Sequence, residues 1–351
     1  MLGDMLIIDG VIHGIDNSPA VADANRYIRS IIDLSYGLQE AWIPPEYVMA
    51  REQYFTKHSA DDMISAVFHE SQVDIACYHA LPMKGIAKDY CPIDVGLEMR
   101  ERYPHRMLIY APIHPLDGVE SAIEELERHV AERQINGIKL YPADLVDGKL
   151  RSYVLSDEKL LYPLYQRCLE LGVKVVAVHK AVPLGIAPMD PFRVGDVDYA
   201  ARDFPDLAFE VVHAGIAFLD ESAWHMSRYD NVYVNLEVTA DYAVRQQDKF
   251  ARIVGEFLLA GGEDRLIWAS GCLIVHPRPV LEAFANFQMP RYLVDGGYPE
   301  LTPERKAKIF GLNFARLHGL DVADLKRRIA ADDIEAAKAK GLRKPWSAAA
   351  S

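Results

Sequence analysis

A (β/α)8 TIM barrel with a C-terminal helical extension is the fold this sequence predicts, on three observations. Eight short apolar runs, rich in β-branched residues, alternate with helical segments at intervals of about 25 to 50 residues, the rhythm of a barrel. Polar or charged side chains stand at nearly every strand exit, as they would where strands converge on one mouth. No GxGxxG follows any of these runs, which disfavours a doubly wound open sheet.

The first strand is Met5 to His13, carrying Asp9 and ending at His13-Gly14. Residues 14–58 follow as an insertion, with a helix near 24–38 and an aromatic, proline-broken stretch Ala41–Tyr47, read as a lid or an interface arm. Ser59 caps the next helix, with Asp61 and Asp62 in its first turn where the helix dipole favours them. The second strand, 73–81, exits at His79, and the third, 106–115, exits at His114. Between the third and fourth, residues 117–134 place Val119, Ile123, Leu126 and Val130 at helical spacing.

The fourth strand is GIKLYP, 137–142, and a helix capped by Ser156 and stopped by Gly172 leads to the fifth, 174–180. A Pro/Gly-rich loop, 181–196, carries Arg193 and precedes the sixth strand, which ends in the FEVVHAG of 209–215. The seventh, 230–239, has Glu237 near its exit; a helix over 246–262 and the eighth strand, 265–272, complete the set. Beyond the barrel come a Thr302-capped helix, a charged helix over 322–342 read as facing solvent, and a tail with an exposed-looking Trp346. The expected organisation is a barrel over 1–320, with its 14–58 insertion, and a C-terminal helix and tail over 321–351.

Of the 351 residues half are hydrophobic and a quarter charged, with a formal net charge of -13. That balance, with no basic stripe, argues against nucleic-acid or anionic-membrane partners. Cys77, Cys91, Cys168 and Cys272 form no CxxC pair, which suggests reduced thiols, a cytoplasmic protein and no thiolate metal cage. The N-terminus lacks the basic region of a signal peptide, and no apolar run reaches the roughly 18 residues of a membrane helix.

Neutral imidazoles bind Zn, Mn, Fe and Co, and a site needs three or more converging donors. His13, His179 and His213 stand at the exits of strands one, five and six, with Lys139 between them on strand four. A buried ammonium is costly, so Lys139 has two states open to it: paired with a carboxylate such as Asp9 or Glu237, or carbamylated and bridging two metals. Arg193 could offer a cation to a substrate carboxylate, and the aromatic stretch from Trp42 to Tyr47 could cover the mouth.

The strand-end pattern, GIKLYP, the VHAG strand and the closing GLNFARLHGL resemble the metal-dependent amidohydrolase superfamily, in its branch of hydrolases and aromatic-acid decarboxylases. The resemblance runs from the first strand to about residue 320 and implies a metal-dependent hydrolase barrel. Two positions depart from it. The family's first strand ends in His-x-His, where this chain has Val11 before His13; its eighth ends in a metal-binding, proton-moving Asp, where this chain has Gly271. His79, His114, Glu237, Cys272 and His276 lie at or beyond strand exits and could complete the site, Glu237 being the best replacement carboxylate and His79 and His276 further catalytic candidates.

These departures resemble the amidohydrolase-like dinuclear oxygenases of the 2-aminoisobutyrate hydroxylase kind. That resemblance implies two Fe or Mn ions, O2 as co-substrate, hydroxylation of a small organic or amino acid, and a homo- or hetero-oligomer with a related barrel subunit. A Zn- or Mn-dependent hydrolase or non-oxidative decarboxylase is the alternative enzyme, and a metal-binding support subunit is the alternative of another class.

Overall fold

Period-two alternation between two apolar environments decides which side chains face the inside of the barrel and which its helices. In the computed structural model, which describes residues 4–348, ten strands form: β1 Ile8–Ile12, β2 Ile75–His79, β3 Met107–Pro112, β4 Gly137–Leu140, β5 Ala143–Val146, β6 Lys149–Ser152, β7 Val175–His179, β8 Ala208–Val212, β9 Val232–Asn235 and β10 Leu266–Ile267. Eight of them pair in parallel in the order β1-β2-β3-β4-β7-β8-β9-β10, while β5 and β6 make a separate antiparallel hairpin. Closure runs between the ends of that order: Gly10 N–H donates to Trp268 O at 3.0 Å, Gly271 N–H donates to Val11 O at 3.0 Å, and Ile12 bridges Cys272.

Along β7, Val176 and Val178 face the layer between sheet and helices, whereas Val175 and Ala177 join the barrel interior with Ile8, Val11, Cys77 and Tyr110. On β4 the same alternation puts Ile138 and Leu140 outside, leaving Lys139 inward and buried. β1 carries a bulge between Asp9 and Ile12, and Val11 packs into the interior apolar cluster.

All eight expected barrel strands are present, and the β5–β6 hairpin is additional. Its turn is Asp147-Gly148, both at positive φ (51° and 72°), the pairing that a tight hairpin requires. The helix expected from Ser156 instead starts at Tyr162, because Asp157 accepts the amides of Lys159 and Leu160 in a turn first. Ser59 and Asp62 form a reciprocal capping box, and Thr302 accepts from Arg305 N–H.

The charged C-terminal segment is not one solvent-facing helix. It divides into Val322–Ala330 and Asp333–Lys338, which dock on the barrel floor through Ile329 and Ile334 and through Arg106, whose guanidinium meets Asp332 at 2.6 Å and Glu335 at 3.1 Å. Trp346 is buried, with its indole N–H donating to Tyr47 O at 2.8 Å. Among the described residues no helix is long and apolar enough to cross a membrane, and all four cysteines are free and buried.

Candidate functional site

Four strand exits bring His13, His179, His213 and Glu237 to the floor of one cavity of about 80 Å³ at the barrel mouth. Each ring is oriented by its far nitrogen. His13 Nδ1–H donates to His79 O at 2.8 Å, His213 Nδ1–H to Glu237 O at 3.2 Å, and His179 Nε2–H to Val182 O at 2.7 Å. Since a carbonyl only accepts, those bonds set the tautomers of the neutral rings and leave His213 Nε2 and His179 Nδ1 as lone pairs turned inward, while His13 turns its Nε2 toward Glu237.

The inward atoms crowd one another. His213 Nε2 stands 3.0 Å from His179 Nδ1, His13 Nε2 lies 3.3 Å from Glu237 Oε1, and His213 Nε2 lies 3.7 Å from Glu237 Oε2. Two neutral acceptors facing each other at 3.0 Å need a cation between them, either a shared proton or a metal. Among the described residues no three His, Cys, Asp or Glu side chains stand ready-formed around an ion, the rings and carboxylate being drawn onto one another instead.

Local backbone supports this crowding. His213 and Val238 lie at φ 68° and 59°, and Ala181 at 64°, left-handed conformations that an L residue adopts at a cost. Tyr141 stacks on His179 with ring centres 4.5 Å apart, and Asn235 Oδ1 accepts Glu237 N–H at 2.9 Å. Neither Tyr141 nor Asn235 stands out in the sequence, although both lie within two residues of an expected donor.

Charge in the site is sharply divided. Burial would raise the Glu237 carboxyl, but His213 and His13 outweigh it and hold it down to about 2. Burial opposes a charge on His13 too, yet the neighbouring Cys91 thiol and Glu237 carboxylate lift it to about 10. Burial lowers His213 to about 4 and His179 well below the ordinary imidazole value. Lys139 is pushed down by burial to about 8, with Glu237 and Glu210 acting against that shift.

Lys139 makes no ion pair. Its Nζ has no hydrogen-bond partner and lies 5.4 Å from the centre of the Tyr141 ring. The expected pairing with Asp9 is therefore absent, because Asp9 is held by Ser270 and by Val11 N–H. With Glu237 the interaction is through space only, the carboxylate being engaged by His13.

Glu237 fills the space beside Gly271, at the exit of the eighth strand. A Cβ built on Gly271 would stand 2.8 Å from Glu237 Oε1 and 3.0 Å from its Cγ.

Other expected residues lie elsewhere. His276 is walled off between Tyr47 and Trp346, with its Nε2 3.1 Å from Glu70 Oε2, so its nitrogens serve a buried structural network rather than the cavity. Arg193 pairs with Asp190 at 3.2 Å, lies over the Phe218 ring, and is largely exposed outside the cavity lining. His114 is taken by Asp144 at 2.5 Å on the hairpin, and Cys272 is buried where the barrel closes. His79 stands beside the cluster, stacked on Tyr110 at 4.4 Å, with both ring nitrogens unpartnered and burial pressing it neutral. Trp42 and Tyr47 do not cover the mouth, being spent on Tyr242 and His276.

Three solved structures share this architecture. An uncharacterised TIM-barrel protein from Bordetella bronchiseptica is 17% identical, with 92% of this chain and 100% of that one covered and a TM-score of 0.62. A 5-carboxyvanillate decarboxylase from Novosphingobium aromaticivorans, complexed with manganese and 4-hydroxy-3-methoxy-5-nitrobenzoic acid, is 16% identical over 90% and 97%, with a TM-score of 0.58. A 2,6-dihydroxybenzoate decarboxylase from Rhizobium is 14% identical over 90% and 99%, with a TM-score of 0.56. At such identities the likeness concerns the fold. No curated protein sequence matches the chain. The model of the amidohydrolase family matches residues 88–320, well over half of the 351, and the chain belongs to that family.

Proposed function

We propose that this protein is a metal-dependent enzyme that removes CO2 from a small organic acid without oxidation. The observation that carries the metal is the 3.0 Å approach of His213 Nε2 to His179 Nδ1, two lone-pair nitrogens whose opposite ring atoms are both committed to carbonyls. Both Glu237 oxygens are buried and make no well-formed hydrogen bond, facing only the rings of His13 and His213 at 3.3 and 3.7 Å, so the donor set fits a divalent cation. His179, His213, His13 and Glu237 would hold it. When bound, such an ion acts as a Lewis acid on a substrate oxygen.

Decarboxylation is favoured over hydrolysis by what the chain itself offers. Hydrolysis needs a carboxylate free to deprotonate water, and here Glu237 is already engaged by His13 and His213 while Gly271 supplies none. Loss of CO2 needs only that the electron pair left on carbon take up a proton. Lys139, buried and with an unpartnered Nζ, is the residue assigned to deliver it. The solved neighbours, two of them decarboxylases and one holding manganese, support this reading. Four buried free thiols are in keeping with a cytoplasmic setting.

One observation favours a second reading, the dinuclear oxygenase. Glu237 turns Oε1 toward His13 and Oε2 toward His213, as a carboxylate shared between two ions would, and a carbamylated Lys139 would then join the ligand set. Anaerobic incubation of Mn-loaded protein with a panel of small carboxylic acids separates the two. CO2 release without O2, abolished together with Mn binding in His179→Ala, is the expected result. O2 uptake by Fe-loaded protein with no anaerobic CO2 release would replace the first reading by the second, and an added CO2 mass on Lys139 would strengthen it.

A further inference from the structure

The cavity is lined by His13, His179, His213 and Glu237 from the strand exits and by Ile31, Leu34, Ser35 and Leu38 of the helix Arg26–Trp42, with further aliphatic side chains from the strand-exit loops, so that apart from the serine the helix offers it an apolar wall. Spaced by three and four, Ile31, Leu34 and Leu38 share one face of the helix, so a single element forms this wall. None of the described lining residues is Lys or Arg. Tyr90, which also lines the cavity, spends its hydroxyl on Asn17 Oδ1 at 3.2 Å. Leu34 is 46% exposed at the rim, an apolar side chain standing in water where the cavity opens.

From this lining we infer that the substrate carries its polar head at the histidine end and a compact, uncharged aliphatic body against Ile31, Leu34 and Leu38, which set the length of that body. The inference deepens the metal-site reading above and rests on it. A second charge on the body would lose its hydration and find no partner. An apolar body gains with each methylene placed against the wall until the cavity is full. The insertion helix, distant in sequence from every donor except His13, is thereby the specificity element of the site.

The test is calorimetric titration of Mn(II)-loaded protein with straight-chain alkyl hydroxamic acids of increasing length, and with ω-carboxylated counterparts of equal length. Affinity should rise about three- to fourfold per methylene, then break where the chain outgrows the cavity. The ω-carboxylates should bind at least about tenfold more weakly. Leu38→Ala should move the break to longer chains, and Leu38→Val should move it less if the alanine variant does not fold. Affinity independent of length, equal binding of ω-carboxylates, or an unmoved break would overturn the inference.

Loss of hydroxamate binding with Mn(II) retained would also overturn it while leaving the metal reading intact. Failure to retain Mn(II) would instead remove the metal reading. In that case the same length dependence and the same Leu38 shift, read with straight-chain alkanols on metal-free protein, would uphold the apolar body, and a flat response would end it.

Discussion

A Cβ on Gly271 would meet Glu237 Oε1 at 2.8 Å, and φ there is 71°, so this position and Glu237 exclude each other's carboxylates. Gly271→Asp should therefore lower stability by about 2–4 kcal/mol, from the left-handed backbone and a buried like-charge contact. Mn(II) binding should fall with it. Removing the competing carboxylate in Gly271→Asp/Glu237→Ala should recover much of both, as read by urea unfolding and metal stoichiometry; a double variant no better than the single would show that Glu237 does not fill that space. Glu237 is legible in the sequence as a candidate carboxylate because it stands at a strand exit. Which of its oxygens meets which ring is not, since those distances arise only where β1, β8 and β9 converge.

Among the elements, the tail is held by one buried carboxylate. Glu70 accepts from Ser65 Oγ at 2.7 Å, His276 Nε2 at 3.1 Å, Trp346 N–H at 2.6 Å and Ser347 N–H at 2.9 Å. Burial would raise the Glu70 pKa, but the hydrogen bonds from His276, Ser65 and Ser347 outweigh it and bring it below the ordinary 4.5. A pKa lowered on folding adds stability that is complete above the unfolded value and is lost as pH falls through the folded one. Glu70→Gln should thus cost about 1–3 kcal/mol at neutral pH, and its deficit against wild type should shrink as pH falls below the ordinary 4.5, measured by urea unfolding at pH 7 and at about pH 3. Trp346→Ala should cost about 3–5 kcal/mol through lost packing against His276 and Tyr47.

The same elements show where local patterns mislead. Pro345-Trp346 near a charged, alanine-rich end suggests an exposed tail, because nothing within reach in sequence accepts an indole; the acceptor, Tyr47 O, is about 300 residues away. His276 looks catalytic in the sequence for the same reason, its partner Glu70 being invisible from its own neighbourhood. The β5–β6 hairpin, by contrast, carries a local signal in Asp147-Gly148 between two short strands.

At the level of the whole molecule, the barrel has an open mouth and a closed floor. Arg106 is buried at that floor, its charge met by Asp332 and Glu335 from the docked C-terminal helices and its Nη1 by Asp74 O at 2.9 Å. Asp332→Ala should cost roughly 2–4 kcal/mol, less than a fully buried pair because Asp332 keeps some solvent. Thermal unfolding measures it, and a change within error would mean that Glu335 alone satisfies Arg106. With the floor sealed, ligand entry is left to the mouth, beside the helix Arg26–Trp42.

Sequence alone determined the eight-stranded barrel and the strand exits that carry His13, Lys139, His179, His213 and Glu237. Alternation of two and of about 3.6 is a local property, and each strand states its own inward side chains. Only the tertiary structure decided that Lys139 stays unpaired, that His276 and Arg193 belong elsewhere, that Glu237 fills the space beside Gly271, and that an insertion helix lines the cavity with Ile31, Leu34 and Leu38. Apart from Arg193, whose partner Asp190 is three residues away, each of those outcomes depends on atoms brought together across the chain by barrel closure, and no window of neighbouring residues contains both partners.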